Sequence, residues 1–158
     1  MGSLSPRSFA FFLNLWPPFR AMRIRVQRIS EDWRQIDVEM RLGWFNRNYM
    51  GSHFGGSLFS MTDPFFWLIV QRALGREYVV SHKGGRIDFL IPGYGTARAH
   101  FEVSDAALTE IRARTAGGDR YIPEFSTEIL NEQNEVVARS TQILHVRRRD
   151  ASSSGISS

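Results

Sequence analysis

The sequence predicts an α+β fold in which a six-stranded antiparallel sheet wraps around one long central helix. Three observations carry this. Segments that alternate apolar and polar residues with period two occupy both sides of the chain's midpoint. Residues 57–74 form a single run, long enough for about five helical turns, and apolar nearly all round. A helix apolar on every face must be covered on every face. With strands as the other elements, a sheet curled around that helix is the economical cover.

The elements follow in order. Residues 6–16, with Arg7 ahead of a stretch rich in Phe and Leu, read as an amphipathic N-terminal helix stopped by Pro17-Pro18 and packed on the domain. An interfacial membrane helix is the weaker reading, because the polar face has no basic stripe. Asn14 interrupts the apolar stretch, and no segment approaches the ~18 apolar residues of a membrane span. Residues 22–29 alternate apolar and basic, Ser30-Glu31-Asp32 is a turn, and 33–42 alternate again through Ile36, Val38, Met40 and Leu42. The two read as a hairpin. An irregular stretch, 43–56, leads into the central helix, which Gly75 ends. Strands are expected at 78–90, 96–103, 121–130 and 136–147, with a short helical or looped segment at 105–116. The Ser-rich end, 150–158, reads as a disordered tail, leaving one domain over 1–149.

Composition narrows the function. The 158 residues contain no cysteine, which excludes disulfides, a Cys nucleophile and thiolate metal sites. Twenty basic residues against 16 acidic give a net charge of +4. That balance invites a polyanionic partner: nucleic acid, an anionic membrane or a phosphorylated cofactor. No nucleic-acid module motif accompanies the charge, so no nucleic-acid partner is expected. A cytoplasmic location is expected.

The chemistry-bearing residues cluster ahead of and inside the central helix. Gly55 and Gly56 permit close backbone approach where a helix start offers unpaired N–H groups, the hardware for an oxyanion; a plain turn would use the same pair. Asp63 lies between Met61 and Phe65 in an otherwise apolar run, where a carboxylate is costly unless paired or functional. Thr62-Asp63-Pro64 also reads as an N-cap followed by Pro, and Pro64 could equally kink a helix begun near Gly56. Asn48 and His53 could hold a carbonyl or a water, or be a turn Asn and a surface His. His82, His100 and His145 fall in strands and read as sheet residues, with no metal-ligand pattern. Lys83 and Arg86, flanking Gly84-Gly85, read as phosphate contacts or solvated strand residues. There is no nucleophile elbow, P-loop or Rossmann fingerprint.

The run Asn48-Tyr49-Met50-Gly51-Ser52-His53-Phe54-Gly55-Gly56, with Asp63 seven residues on, resembles the Asn-x-x-Gly-x-x-His-Gly-Gly…Asp pattern of small acyl-CoA thioesterases of the phenylacetate-pathway type. These belong to the hotdog-fold superfamily. Leu-Trp-Pro-Pro-Phe (15–19), Phe-Gly-Gly (54–56), Met-Thr-Asp-Pro-Phe (61–65) and Ile-Asp-Phe-Leu-Ile-Pro-Gly (87–93) are similar to an uncharacterised hotdog subfamily. The resemblance spans roughly residues 10–149 and implies thioester hydrolysis on an acyl-CoA-type substrate. It gives the Gly55 and Gly56 amides the carbonyl, Asp63 the role of general base or nucleophile, and Asn48 the placing of thioester or water. His53, Phe54, Lys83 and Arg86 would contact substrate. It implies a homodimer or dimer of dimers with the site at the subunit interface, and no cofactor beyond the coenzyme A of the substrate. The departure is Phe54, where the better-known enzymes have His, with His53 one residue early. That departure favours the alternative of a non-catalytic acyl-CoA or fatty-acyl binding protein, and argues against a dehydratase.

Overall fold

A computed structural model describes residues 4–149; the Ser-rich segment 150–158 lies outside the described residues. Its antiparallel sheet has the order β1-β2-β4-β6-β7-β3. The strands are β1 (Ile24–Ile29), β2 (Gln35–Arg41), β3 (Tyr78–Phe89), β4 (Thr96–Glu102), β6 (Glu124–Leu130) and β7 (Val136–Arg148). A two-residue strand, β5 (Arg120–Tyr121), adds to β7 beside this path. Period-two patterning sets which face is covered: Ile36, Val38 and Met40 of β2 are buried together with Ala97, Ala99 and Phe101 of β4.

Those side chains pack on the central helix, which runs from Gly55 to Leu74 in two pieces, α3 (Gly55–Ser60) and α4 (Phe65–Leu74). The Phe101 ring lies 4.9 Å from Phe65 and 5.2 Å from Phe66. The interruption at 61–64 has two causes. Pro64 has no N–H to continue the ladder. Thr62 also turns inward, its hydroxyl bonding the Phe59 carbonyl at 2.7 Å and lying 2.9 Å from Ser140 Oγ on β7. Gln142 donates to the same Thr62 oxygen at 3.1 Å, so the break is held by a buried polar cluster. Asp63 therefore does not cap α4; the helix begun at Gly55 is broken.

The N-terminal helix α1 (Pro6–Leu15) is capped by Ser5, whose Oγ accepts from Ser8 N–H. Pro17-Pro18 end it and also open a second helix, α2 (Pro17–Met22), because Pro's fixed φ suits a first helical turn. The segment at 105–116 is helical, α5 (Asp105–Thr115), capped by Ser104.

The two sheet edges differ. At β1, Asn14 of α1 accepts from Val26 N–H at 2.7 Å and donates to the Val26 carbonyl at 3.0 Å, replacing a strand partner. At the other edge, β3 has no strand on its outer side among the described residues, and every residue from Ser81 to Ile91 except Ile87 is exposed.

Candidate functional site

The loop before the central helix is braced from within. Asn48 N–H donates to the Ser52 carbonyl at 2.8 Å and Asn48 Nδ2 to Ser52 Oγ at 2.9 Å, closing a turn in which Gly51 takes φ +85°. Asn48 Oδ1 accepts from Ser52 N–H at 3.2 Å. The side chain is thereby committed to its own loop. His53 is only 3% exposed. Its N–H donates to the Gly93 carbonyl, and Nε2 sits 3.1 Å from the Gly95 carbonyl. A carbonyl only accepts, so Nε2 carries the proton and Nδ1, buried without a partner, is bare. Burial lowers the His53 pKa, and the bond to the Gly95 carbonyl offsets this only in part.

Gly55 opens α3 with a close approach: a Cβ there would lie 2.7 Å from the Phe89 ring of β3. Among the described residues the N–H groups of Gly55 and Gly56 have no hydrogen-bond acceptor. Asn48, His53 and Gly55 line a pocket of about 580 Å³ whose opposite wall is the segment 89–94. Phe54, half exposed, lies with its ring against Gly56, where an added Cβ would come within 2.5 Å of it.

Asp63 stands apart from that pocket. Its side chain is 62% exposed rather than buried in the apolar run, because the break between α3 and α4 turns it outward. His82 Nε2 approaches Asp63 Oδ1 at 3.1 Å. The sequence reading missed His82 as a partner of Asp63. It lies on β3 where the pairing with β7 shifts register between His82 and Gly84, and strand periodicity carries no signal for such a bulge. Lys83 occupies the bulge and is exposed; Arg86 is tied to Glu124 at 3.1 Å. The structure thus groups Asn48, His53 and Gly55 in one hollow, and Asp63, His82 and Lys83 on the surface beside β3. An apolar groove of about 450 Å³ separates α1 from the start of α4, walled by Phe12, Leu15, Trp16, Pro64 and Trp67. Among the described residues no cluster of His, Asp and Glu has the arrangement of a metal site, and no helix is long and apolar enough to cross a membrane.

An antiparallel sheet curled around a central helix entered through a Gly-rich loop defines a hotdog-fold protein. Solved structures agree on the fold. The PA5026 protein of Pseudomonas aeruginosa, a probable thioesterase of unknown function, superposes with a TM-score of 0.78 at 17% identity, covering 91% of this chain and 97% of its own. The thioesterase HI1161 of Haemophilus influenzae gives 0.67 at 15%, covering 92% of each chain. The PaaI protein of E. coli, from the phenylacetic acid degradation operon, gives 0.60 at 24%, covering 90% of each. At these identities the likeness is one of fold. Residues 7–146 match the family described as a domain of unknown function, DUF4442, and the chain belongs to that family. A search of the curated proteins finds no match.

Proposed function

We propose that the protein is a thioester hydrolase acting on acyl-CoA-type substrates. The observation that carries this reading is the juxtaposition of Asp63 with His82 at 3.1 Å, on the segment that follows two glycine amides, Gly55 and Gly56, without an acceptor among the described residues. Hydrolysis of a thioester needs an activated water and donors for the developing oxyanion. Asp63 would take the proton from water, or attack the carbonyl itself, with His82 orienting its carboxylate. Gly55 and Gly56 N–H would receive the oxyanion. Lys83, beside His82 and without an acidic partner among the described residues, is the better candidate for a coenzyme A phosphate; Arg86 is engaged by Glu124.

Within one chain Asp63 does not line the pocket of Gly55, so the reading requires a second copy. The open β3 edge supports a homodimer. Long exposed edges are templates for strand addition, and here the other edge is occupied by α1. A site between subunits would bring the Asp63 of one to the Gly55 pocket of the other.

A second reading, acyl-CoA binding without turnover, is favoured by Phe54, by the engagement of Asn48 in its own loop and by that of His53 with the Gly93 and Gly95 carbonyls. Free-thiol release from a panel of acyl-CoA chain lengths separates the two. Hydrolysis that falls about 10²–10⁴-fold in Asp63→Asn, with unchanged melting temperature, supports the first. Thermal protection by acyl-CoA with no thiol released supports the second. Wild-type turnover in Asp63→Asn overturns the assignment of Asp63.

A further inference from the structure

The helix α1 is apolar on two sides, and only one is covered. Phe9 and Leu13 pack against the core. Phe11, Phe12, Leu15 and Trp16 face outward, between 47% and 59% exposed. Large apolar side chains clustered on a surface mark something that covers them.

The charge around them is one-sided. Residues 1–30 contain five arginines and no acidic residue. Residues 1–50 hold eight arginines against four acidic residues, while the remaining positions carry twelve of each sign, so the net +4 of the chain belongs entirely to its first third. Phe11 and Leu15 share a surface hollow with Arg23, Arg25 and Arg41, whose only acid is Glu39. On its other flank Phe11 shares a second hollow with Arg7, Arg25 and Arg28 and one acid, Glu31. Arg28 pairs with Asp37 and Arg41 with Glu39. Arg7, Arg20, Arg23 and Arg25 have no acidic partner within ion-pair distance among the described residues.

We propose that this face, built by α1 together with β1 and the end of α2, binds the surface of an anionic phospholipid bilayer. Apolar side chains flanked at Phe11 and Leu15 by guanidinium groups, those of Arg7 and Arg25 without an acidic partner among the described residues, match the two layers of that surface, acyl boundary and phosphate. Trp16, at the end of α1, belongs at the headgroup level where indole rings collect. A basic stripe is missing from α1 alone. The neighbouring strand and helix supply it, which only the folded chain reveals.

Sedimentation with lipid vesicles tests this on the intact protein. Binding is expected to vesicles of phosphatidylglycerol mixed into phosphatidylcholine, not to phosphatidylcholine alone, and is expected to weaken as salt is raised. Each arginine near such a surface contributes about fivefold, so Arg7→Glu with Arg25→Glu should weaken binding roughly 25-fold or more. Neither arginine bonds the fold, and an acidic residue in the first turn of α1 suits the helix dipole. Phe11→Ser should weaken binding without removing its salt dependence. The blue shift of tryptophan emission on adding vesicles should shrink in Trp16→Phe. Absence of binding at low salt overturns the proposal, as does equal binding to neutral vesicles. So does concentration-dependent self-association that Phe11→Ser abolishes, which would make a second copy the cover. Tighter binding to duplex DNA than to vesicles, insensitive to Phe11→Ser, would assign the charge to nucleic acid and overturn it likewise.

Discussion

Removing the Asn14 side chain should loosen the sheet at β1 far more than its place on a surface helix suggests. The Asn14 amide makes two bonds to one residue of β1, from Val26 N–H at 2.7 Å and to the Val26 carbonyl at 3.0 Å, both partly buried. Each is worth about 1 kcal/mol net, and a backbone group left unpaired costs more where water cannot reach it. Asn14→Ala should therefore destabilise the chain by about 2 kcal/mol, a fall in melting temperature of roughly 4–8 °C for a chain of this length. Asn14→Asp is the sharper variant. It keeps an acceptor for Val26 N–H but sets a carboxylate against the Val26 carbonyl, so it should not rescue. The assay is urea unfolding followed by far-ultraviolet circular dichroism, with thermal melts alongside. A midpoint in Asn14→Ala equal to that of the wild type would refute the view that α1 serves as the missing strand partner of β1.

Neighbouring glycines of β3 should respond differently to the same change. Gly85→Ala places a methyl 2.9 Å from Gln142 Oε1 and 3.1 Å from the Thr141 backbone oxygen, and should cost about 1–3 kcal/mol, whereas Gly84→Ala meets nothing within 4 Å and should lie near neutral in the same urea titration. His53 should make the fold acid-sensitive. Its folded pKa lies below the ordinary 6.5, so the unfolded chain takes up a proton first as pH falls. Stability is then complete above about pH 6.5 and declines below it, and His53→Gln should flatten that dependence in melts across pH 5–8. In the proposed dimer a charge on the open edge should prevent self-pairing: Phe89→Lys, on an exposed residue of β3, is expected to give monomer in sedimentation velocity.

The order of elements was legible because it rests on local periodicity. Ile36, Val38 and Met40 read as one face of a strand and are buried as one face. The Gly-rich loop, the central helix and its Gly75 stop were equally local signals. What the helix does at Pro64 was not. Cap and kink predict the same residues; in the structure Asp63 makes no capping bond to α4, and Thr62 holds the break. Its hydroxyl is committed to Phe59, Ser140 and Gln142, two of them about 80 positions away in sequence. Asn14 illustrates the same limit. Read locally it interrupts an apolar stretch; in the fold it closes a sheet edge. Of the candidate site residues, Gly55, Asn48 and His53 sat close enough in sequence to be read as one group, and they do share a pocket. The contact between Asp63 and His82 spans a helix, a turn and a strand bulge, and no spacing rule encodes it.

The exposure of Asp63 bears on what a hydrolase of this shape requires. Its side chain is 62% exposed, whereas a hydrolytic site works with bulk water excluded from the reacting groups. Withdrawal from solvent would strengthen the attraction between this carboxylate and a nearby cation. Among the described residues nothing covers Asp63, because the break at Pro64 turns it away from the core and His82 is itself a third exposed. In the proposed dimer the second copy would supply that cover beside β3, where His82 and Lys83 also stand. That strand is the sheet edge left without a partner, since Asn14 already occupies the other. Strand pairing at β3 and desolvation of Asp63 would then be one event, and turnover should fall on dilution in step with dissociation. Turnover per chain that is independent of concentration, in a protein shown to be monomeric by sedimentation, would break that link.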